Sequence, residues 1–139
     1  MKKTLLFFAF VSLVYVFVSC KKNELTPEEK MNFLTSHIWA ADSLLADGVD
    51  EGSAGGLLEI FNGDTKFNED KTGYVGDIVG TWEFSDNESS LVITSDSLLI
   101  PVTMTIEELT EQSLKLTTIY PRQTSPLVYA DVRMTFIPK

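Results

Sequence analysis

The sequence predicts an all-β domain: an antiparallel up-and-down meander barrel of about eight strands, preceded by one short helix. Three observations predict it. Segments from Thr65 to Ile137 repeatedly alternate apolar and polar residues with a period of two, and polar turn clusters punctuate them at short intervals. A length of 139 residues leaves room for a single core. The centre of the pattern is Phe67 to Thr94, where Gly73, Gly76 and Gly80 relax the backbone between β-branched and aromatic residues and a Gly80-Thr81-Trp82 step sits in the middle. An apolar share of 44% supports a folded chain, and a formal net charge of -9 repels phosphate and so excludes nucleic acid as a partner.

The chain opens with Lys2 and Lys3, followed by an apolar run from Leu5 to Val18 interrupted by Ser12 and Tyr15. A basic region followed by about fourteen apolar residues is a secretory signal over residues 1–19, because a spanning helix needs about twenty. Val18-Ser19-Cys20 resembles the end of a bacterial lipobox, although Phe17 stands where an aliphatic residue is usual. The resemblance implies that Cys20, the only cysteine, receives acyl chains and becomes the first residue of the mature chain, with an ordinary secreted protein as the alternative. Removal of residues 1–19 leaves nine basic and twenty acidic residues, a balance of -11. Lys21 follows the cysteine in place of the aspartate that resembles an inner-membrane retention signal, which points to the outer membrane. Lys21-Lys22-Asn23-Glu24 is a poor match to acidic surface-export signals, so the expectation is the periplasmic face over the cell surface.

Residues 20–30 hold the lipidated cysteine, a polar tether and a helix start. Thr26-Pro27-Glu28-Glu29 supplies an N-cap, a proline at the first helical position and the glutamate of a capping box. Met31, Phe33 and Leu34 give the helix an apolar side, and Ser36-His37 precedes a β-like run, so the helix ends near Leu34 to Ser36. It is expected to plug or flank one end of the sheet.

Trp39 to Leu45 is the first predicted strand, and Asp47 to Gly56 is an acidic, glycine-rich loop. Leu57 to Phe61 is a short apolar piece, predicted as a strand although a helical turn fits the same run. Thr65 to Phe67 and Gly73 to Val79 flank the turn Asn68 to Lys71, and Thr81 to Ser85 puts Trp82 and Phe84 on one face. Leu91 and Ile93 continue the pattern. Ile100, Val102, Met104 and Ile106 then alternate with Pro101, Thr103, Thr105 and Glu107, the proline suggesting an edge or a bulge. Leu114, Leu116, Thr118 and Tyr120 form one face of the next strand, and Pro121 to Pro126 is a turn. The last strand, about Val128 to Ile137, points Val132, Met134 and Phe136 inwards. Seven or eight short antiparallel strands with one apolar face each are best served by closure into a barrel, which removes exposed edges. At that size the interior is filled by side chains or holds one small ligand.

Residues 31–139 resemble the bacterial lipocalin-like lipoproteins, small meander barrels that follow a lipobox. Leu34-Thr35-Ser36-His37-Ile38-Trp39 is similar to that family's opening strand, with Ser36 where glycine is usual. Phe67-Asn68-Glu69-Asp70-Lys71-Thr72-Gly73 is similar to its phenylalanine-turn-glycine hairpin, with Lys71 in place of a common glycine, and Gly80-Thr81-Trp82-Glu83-Phe84 resembles its next strand. The resemblance implies a calycin-like barrel with a pocket for a small apolar molecule and no enzymatic activity.

Trp39, Tyr74, Trp82, Phe84, Met104 and Phe136 are the residues expected either to line such a pocket or to fill the barrel core. His37 is the only histidine, Asp47, Asp50 and Glu51 lack the spacing of an EF-hand, and Gly52-Ser53-Ala54-Gly55 lacks the G-x-S-x-G elbow. No catalytic residue, metal or cofactor is therefore predicted. Two functions remain open: an outer-membrane lipoprotein whose barrel binds a small hydrophobic or amphipathic molecule, and a filled barrel serving as an interaction module for an envelope protein partner, such as an accessory subunit of a glycan-uptake assembly.

Overall fold

A computed structural model describes residues 24–124 and 126–139. The predicted signal segment, Cys20 and the first residues of the tether lie outside the described residues. Among the described residues no helix is long and apolar enough to cross a membrane.

Helix α1 (Pro27–Ser36) begins as the sequence dictates. The Glu29 amide donates to Thr26 Oγ1 at 3.2 Å and the Thr26 amide donates to Glu29 Oε2 at 2.8 Å, closing the capping box. Its last turn carries no basic residue of its own. The cation comes instead from a neighbouring strand: Lys66 Nζ donates to the carbonyls of Thr35 and His37, satisfying acceptors that the helix end leaves free. The Trp39 indole donates to the Leu34 carbonyl at 3.0 Å, so the first core tryptophan pins the helix across one end of the sheet.

Nine strands follow: β1 (Ile38–Ala46), β2 (Val49–Asp50), β3 (Asp64–Phe67), β4 (Thr72–Val75), β5 (Ile78–Phe84), β6 (Ser90–Thr94), β7 (Val102–Leu109), β8 (Leu114–Arg122) and β9 (Val128–Pro138). From β3 onwards each pairs antiparallel with the next, and β9 returns to β1 along its length, from Trp39 opposite Pro138 to Ala46 opposite Val132. Eight strands thus close the barrel, and β2 is an extra strand on the far end of β1. Bulges in the β1–β9 and β7–β8 pairings, at Ala41/Ser43 and Ile106/Glu108, bend the wall.

Alternation decides which side chains enter. Val102, Met104, Leu114, Leu116, Val132, Met134 and Phe136 are buried, while Thr103, Thr105, Asp131 and Arg133 face out. Gly73 of β4 lies directly opposite Gly80 of β5; a Cβ on Gly73 would sit 2.2 Å from the Lys66 carbonyl oxygen of β3 and one on Gly80 2.1 Å from the Thr94 carbonyl oxygen of β6, so glycine is what lets these neighbouring strands come so close.

Four expectations are corrected. The turn expected over Pro121 to Pro126 begins later, because Pro121 and Arg122 extend β8 opposite Tyr129 and Val128. Leu57 to Phe61 is not a strand but leads into a 3-10 turn, Glu59–Phe61, that drops Leu58 and Phe61 into the core. Gly73 to Val79 is not one segment: the chain reverses at Gly76-Asp77, with Gly76 at φ 55, and becomes β4 and β5. Ile100 lies outside the strand that starts at Val102, and 66% of it is exposed.

Helix α1 closes one end of the barrel together with the β3–β4, β5–β6 and β7–β8 turns. The opposite end carries the β1–β2 hairpin and the β4–β5, β6–β7 and β8–β9 connections.

Candidate functional site

The six residues predicted as pocket or core divide into two groups. Trp39, Trp82, Met104 and Phe136 are buried, whereas Tyr74 and Phe84 are half-buried. Trp82 is the hub of an aromatic cluster, meeting Phe67 and Phe84 edge-on with centroids 5.5 Å apart in each case. Its indole donates to the carbonyls of Asn68 and Thr72 at 3.0 and 3.2 Å. Both core tryptophans therefore spend their polar group inside the protein. Lys71 Nζ lies 4.2 Å from the centroid of the Trp82 ring and 5.7 Å from that of Phe84, a cation–π contact that covers the aromatic face from outside.

The space left among Phe67, Tyr74, Ile78, Trp82 and Ile93 is about 10 Å³, at the threshold for a single water. Thr65 is fully buried with a hydroxyl that has no hydrogen-bond partner.

The larger concavities lie on the outside. A groove of about 750 Å³ crosses four neighbouring strands, with Thr103 and Thr105 from β7, Thr117 and Ile119 from β8, Asp131 and Arg133 from β9, and Leu45 at the end of β1. The β7, β8 and β9 residues are sequential neighbours, and Leu45 joins them because β9 closes onto β1, where it sits opposite Arg133. Thr117 Oγ1 donates to Glu107 Oε1 at 2.9 Å, and Thr118 Oγ1 donates to the Thr103 carbonyl at 2.7 Å. The hydroxyls of Thr103 and Thr105, the Asp131 carboxylate and the Arg133 guanidinium make no hydrogen bond or ion pair with any described residue. Every other described cation is engaged: Lys30 with Glu88, Lys66 with the helix end, Lys71 with Trp82, Lys115 with Glu108, Arg122 with Asp47 and Glu51, and Lys139 with Asp64.

Above the groove the loops are clamped. Arg122 on β8 reaches Asp47 Oδ2 at 2.9 Å and Glu51 Oε1 at 3.3 Å, and the Asp131 amide donates to Asp47 Oδ1 at 2.9 Å. The Arg122 hydrogen bond, then that from Asp131, holds the Asp47 carboxyl below its ordinary value. Glu51 is lowered by the Leu57 amide and then by Arg122, while the two carboxylates push the Arg122 guanidinium up. The acidic loop is thus tied to the wall by ion pairs. Among the described residues no group of three or more His, Cys, Asp or Glu is placed to hold a metal ion.

No family model and no curated protein matches this chain. Any assignment must therefore come from the surfaces themselves. The outer groove was absent from the sequence-based candidates because each of its residues, taken along its own strand, is an ordinary outward polar residue.

Proposed function

We propose that this chain is a lipid-anchored, non-enzymatic envelope protein whose barrel is a filled scaffold, with recognition carried by its outer wall. The observation that supports the scaffold over the carrier is the interior. Large side chains from all around the ring occupy it, and about 10 Å³ remains beside the central aromatic cluster, far below the 300 Å³ or more of ordinary ligand pockets. Tyr74 and Phe84 then serve as wall and rim residues, and the apolar-ligand pocket implied by the lipocalin-like resemblance becomes the less favoured reading.

Anchoring through acylated Cys20 at the outer membrane, facing the periplasm, agrees with the position of the chain's entry. Glu24 and Leu25 lie in a cleft with Lys30, Glu88 and Leu109 at the helix end of the barrel. The β1–β2 and β8–β9 hairpins are at the other end, so a membrane-held chain presents them to the compartment. Two measurements test this. Cys20→Ala should abolish incorporation of labelled fatty acid, and unchanged labelling would refute the anchor. Native mass spectrometry of the full chain, recovered from membranes and exposed to envelope lipid extract, should show no retained small molecule beyond the covalent acyl groups. A stoichiometric apolar adduct would overturn the filled scaffold.

A further inference from the structure

We propose that the groove across β7, β8, β9 and β1 binds a neutral oligosaccharide. The inference rests on the reading of the outer wall as the recognition surface and names its ligand class. Its unengaged groups carry the argument: the hydroxyls of Thr103 and Thr105 donate and accept, the Asp131 carboxylate accepts, and the Arg133 guanidinium donates. Asp131 and Arg133 are two residues apart on the same outward face of β9, so the pair offers both hydrogen-bonding senses with no net charge. A polyol, which presents a donor and an acceptor at every hydroxyl, complements that set.

Other ligand classes fit less well. A strongly anionic polymer would meet the field of a chain with net charge -9 as well as Asp131 itself. An extended peptide binds a sheet by adding a strand; at the groove β9 and β1 are paired along both edges, and where β7 and β8 part beyond Thr105 and Thr117 the Thr118 hydroxyl already occupies the Thr103 carbonyl. Ile119 and Tyr129 supply the apolar element a pyranose needs. They are 65% and 57% exposed and lie on the same outer face, Ile119 opposite Asp131 and Tyr129 two residues before it. Such a platform can cover the C–H face of a sugar while the charged pair and threonines hold its hydroxyls.

The test uses the full chain in a detergent without a sugar headgroup, titrated by NMR with maltotriose, cellotriose, xylotriose and a galacturonic acid trimer. At least one neutral trisaccharide should bind. Arg133→Ala and Asp131→Ala should each weaken it by about tenfold, the scale of one lost charge-assisted hydrogen bond. Leu99→Ser, on a fully exposed loop residue, should not change binding. All these side chains are exposed, so unaltered thermal midpoints would separate lost binding from lost fold. Binding of the acidic trimer alone, dependent on Arg133, would overturn the neutral class while leaving the outer wall as the recognition surface. Neutral binding that survives both substitutions would overturn the groove. No binding by any trisaccharide would overturn the oligosaccharide proposal, and only an apolar adduct in the mass spectrum would also remove the filled scaffold beneath it.

Discussion

Lys71 shows how one residue can hold a backbone conformation that its type disfavours. It closes the β3–β4 turn at φ 71, where the lipocalin-like pattern has glycine, with its amide donating to the Asn68 carbonyl at 3.0 Å. A side chain in the left-handed region costs about 1 kcal/mol relative to glycine. The ammonium lies 4.2 Å from the Trp82 centroid and 3.9 Å from Met31 Sδ, and a cation–π contact of this kind returns about 0.5–2 kcal/mol. The two effects are of similar size and opposite sign. Lys71→Gly should therefore leave stability within about 1 kcal/mol of the parent, whereas Lys71→Ala keeps the strain, loses the contact and should cost about 1–2 kcal/mol. Urea denaturation followed by tryptophan fluorescence, from Trp39 and Trp82 together, measures both. Equal losses for the two variants would mean that strain and contact do not offset each other.

At the scale of elements, the connections differ in what secures them. The hairpins at the helix end rest on turn hydrogen bonds, as where the Thr72 amide and hydroxyl donate to Asp70 Oδ1 at 3.0 and 2.6 Å. The β1–β2 hairpin and the acidic loop after it depend instead on Arg122, which links them to β8. Asp47 and Glu51 have folded-state values below their ordinary 3.8 and 4.5, so both bind protons less readily in the native state than in the unfolded chain. Their contribution is complete above about pH 5 and is lost as pH falls through the ordinary values towards the lowered ones. Arg122→Gln should flatten the acid limb of the stability profile below pH 5 and leave the difference between pH 6 and 8 unchanged. Urea midpoints across pH 3 to 8 provide the check, and an acid limb identical to the parent's would show that the clamp does not couple to folding. Glu29 and Asp70, also lowered, keep part of the slope in either protein.

The same scale explains what the sequence made legible. Strict alternation in Val102 to Ile106, Leu114 to Tyr120 and Val132 to Phe136 identified strands and their inward faces because a barrel wall has one wet side. The capping box in Thr26 to Glu29 was equally readable, since all its bonds are local. Leu57 to Phe61 was not: five residues fit a strand or a helical turn, and the choice was made by Leu58 and Phe61 both reaching the core. The aromatic candidates were recognisable as large apolar residues, but their division into buried core and half-exposed wall depends on packing. The groove was further out of reach. Leu45 and Arg133 are far apart in sequence and meet through β1–β9 closure, and the absence of a partner for Arg133 among the described residues is a property of the assembled surface.

For the whole molecule, closure is the event on which the other contacts depend. The β1–β9 seam joins the first and last strands of the ring, with Ala41 opposite Phe136 and Leu44 opposite Met134, and the Lys139 amide donating to the Ile38 carbonyl at 2.9 Å. Until it forms, both strands are edges with unpaired backbone groups, and the groove lacks one side. Phe136 is fully buried and its strand neighbours are Ala41 and Leu114, so the side chain packs where both ends of the meander meet. Phe136→Ala should cost about 3–5 kcal/mol, a large share of the 5–15 kcal/mol that holds a typical domain folded. Phe84→Ala, at a half-buried position on β5 away from the seam, should cost less. Because closure brings together segments almost a hundred residues apart, it should complete late in folding, so Phe136→Ala should act mainly by speeding unfolding. Stopped-flow chevrons of the two variants distinguish the cases. A Phe136→Ala variant that slows folding by the full loss of stability, with unfolding unchanged, would place the seam in the folding nucleus and reverse the order of assembly.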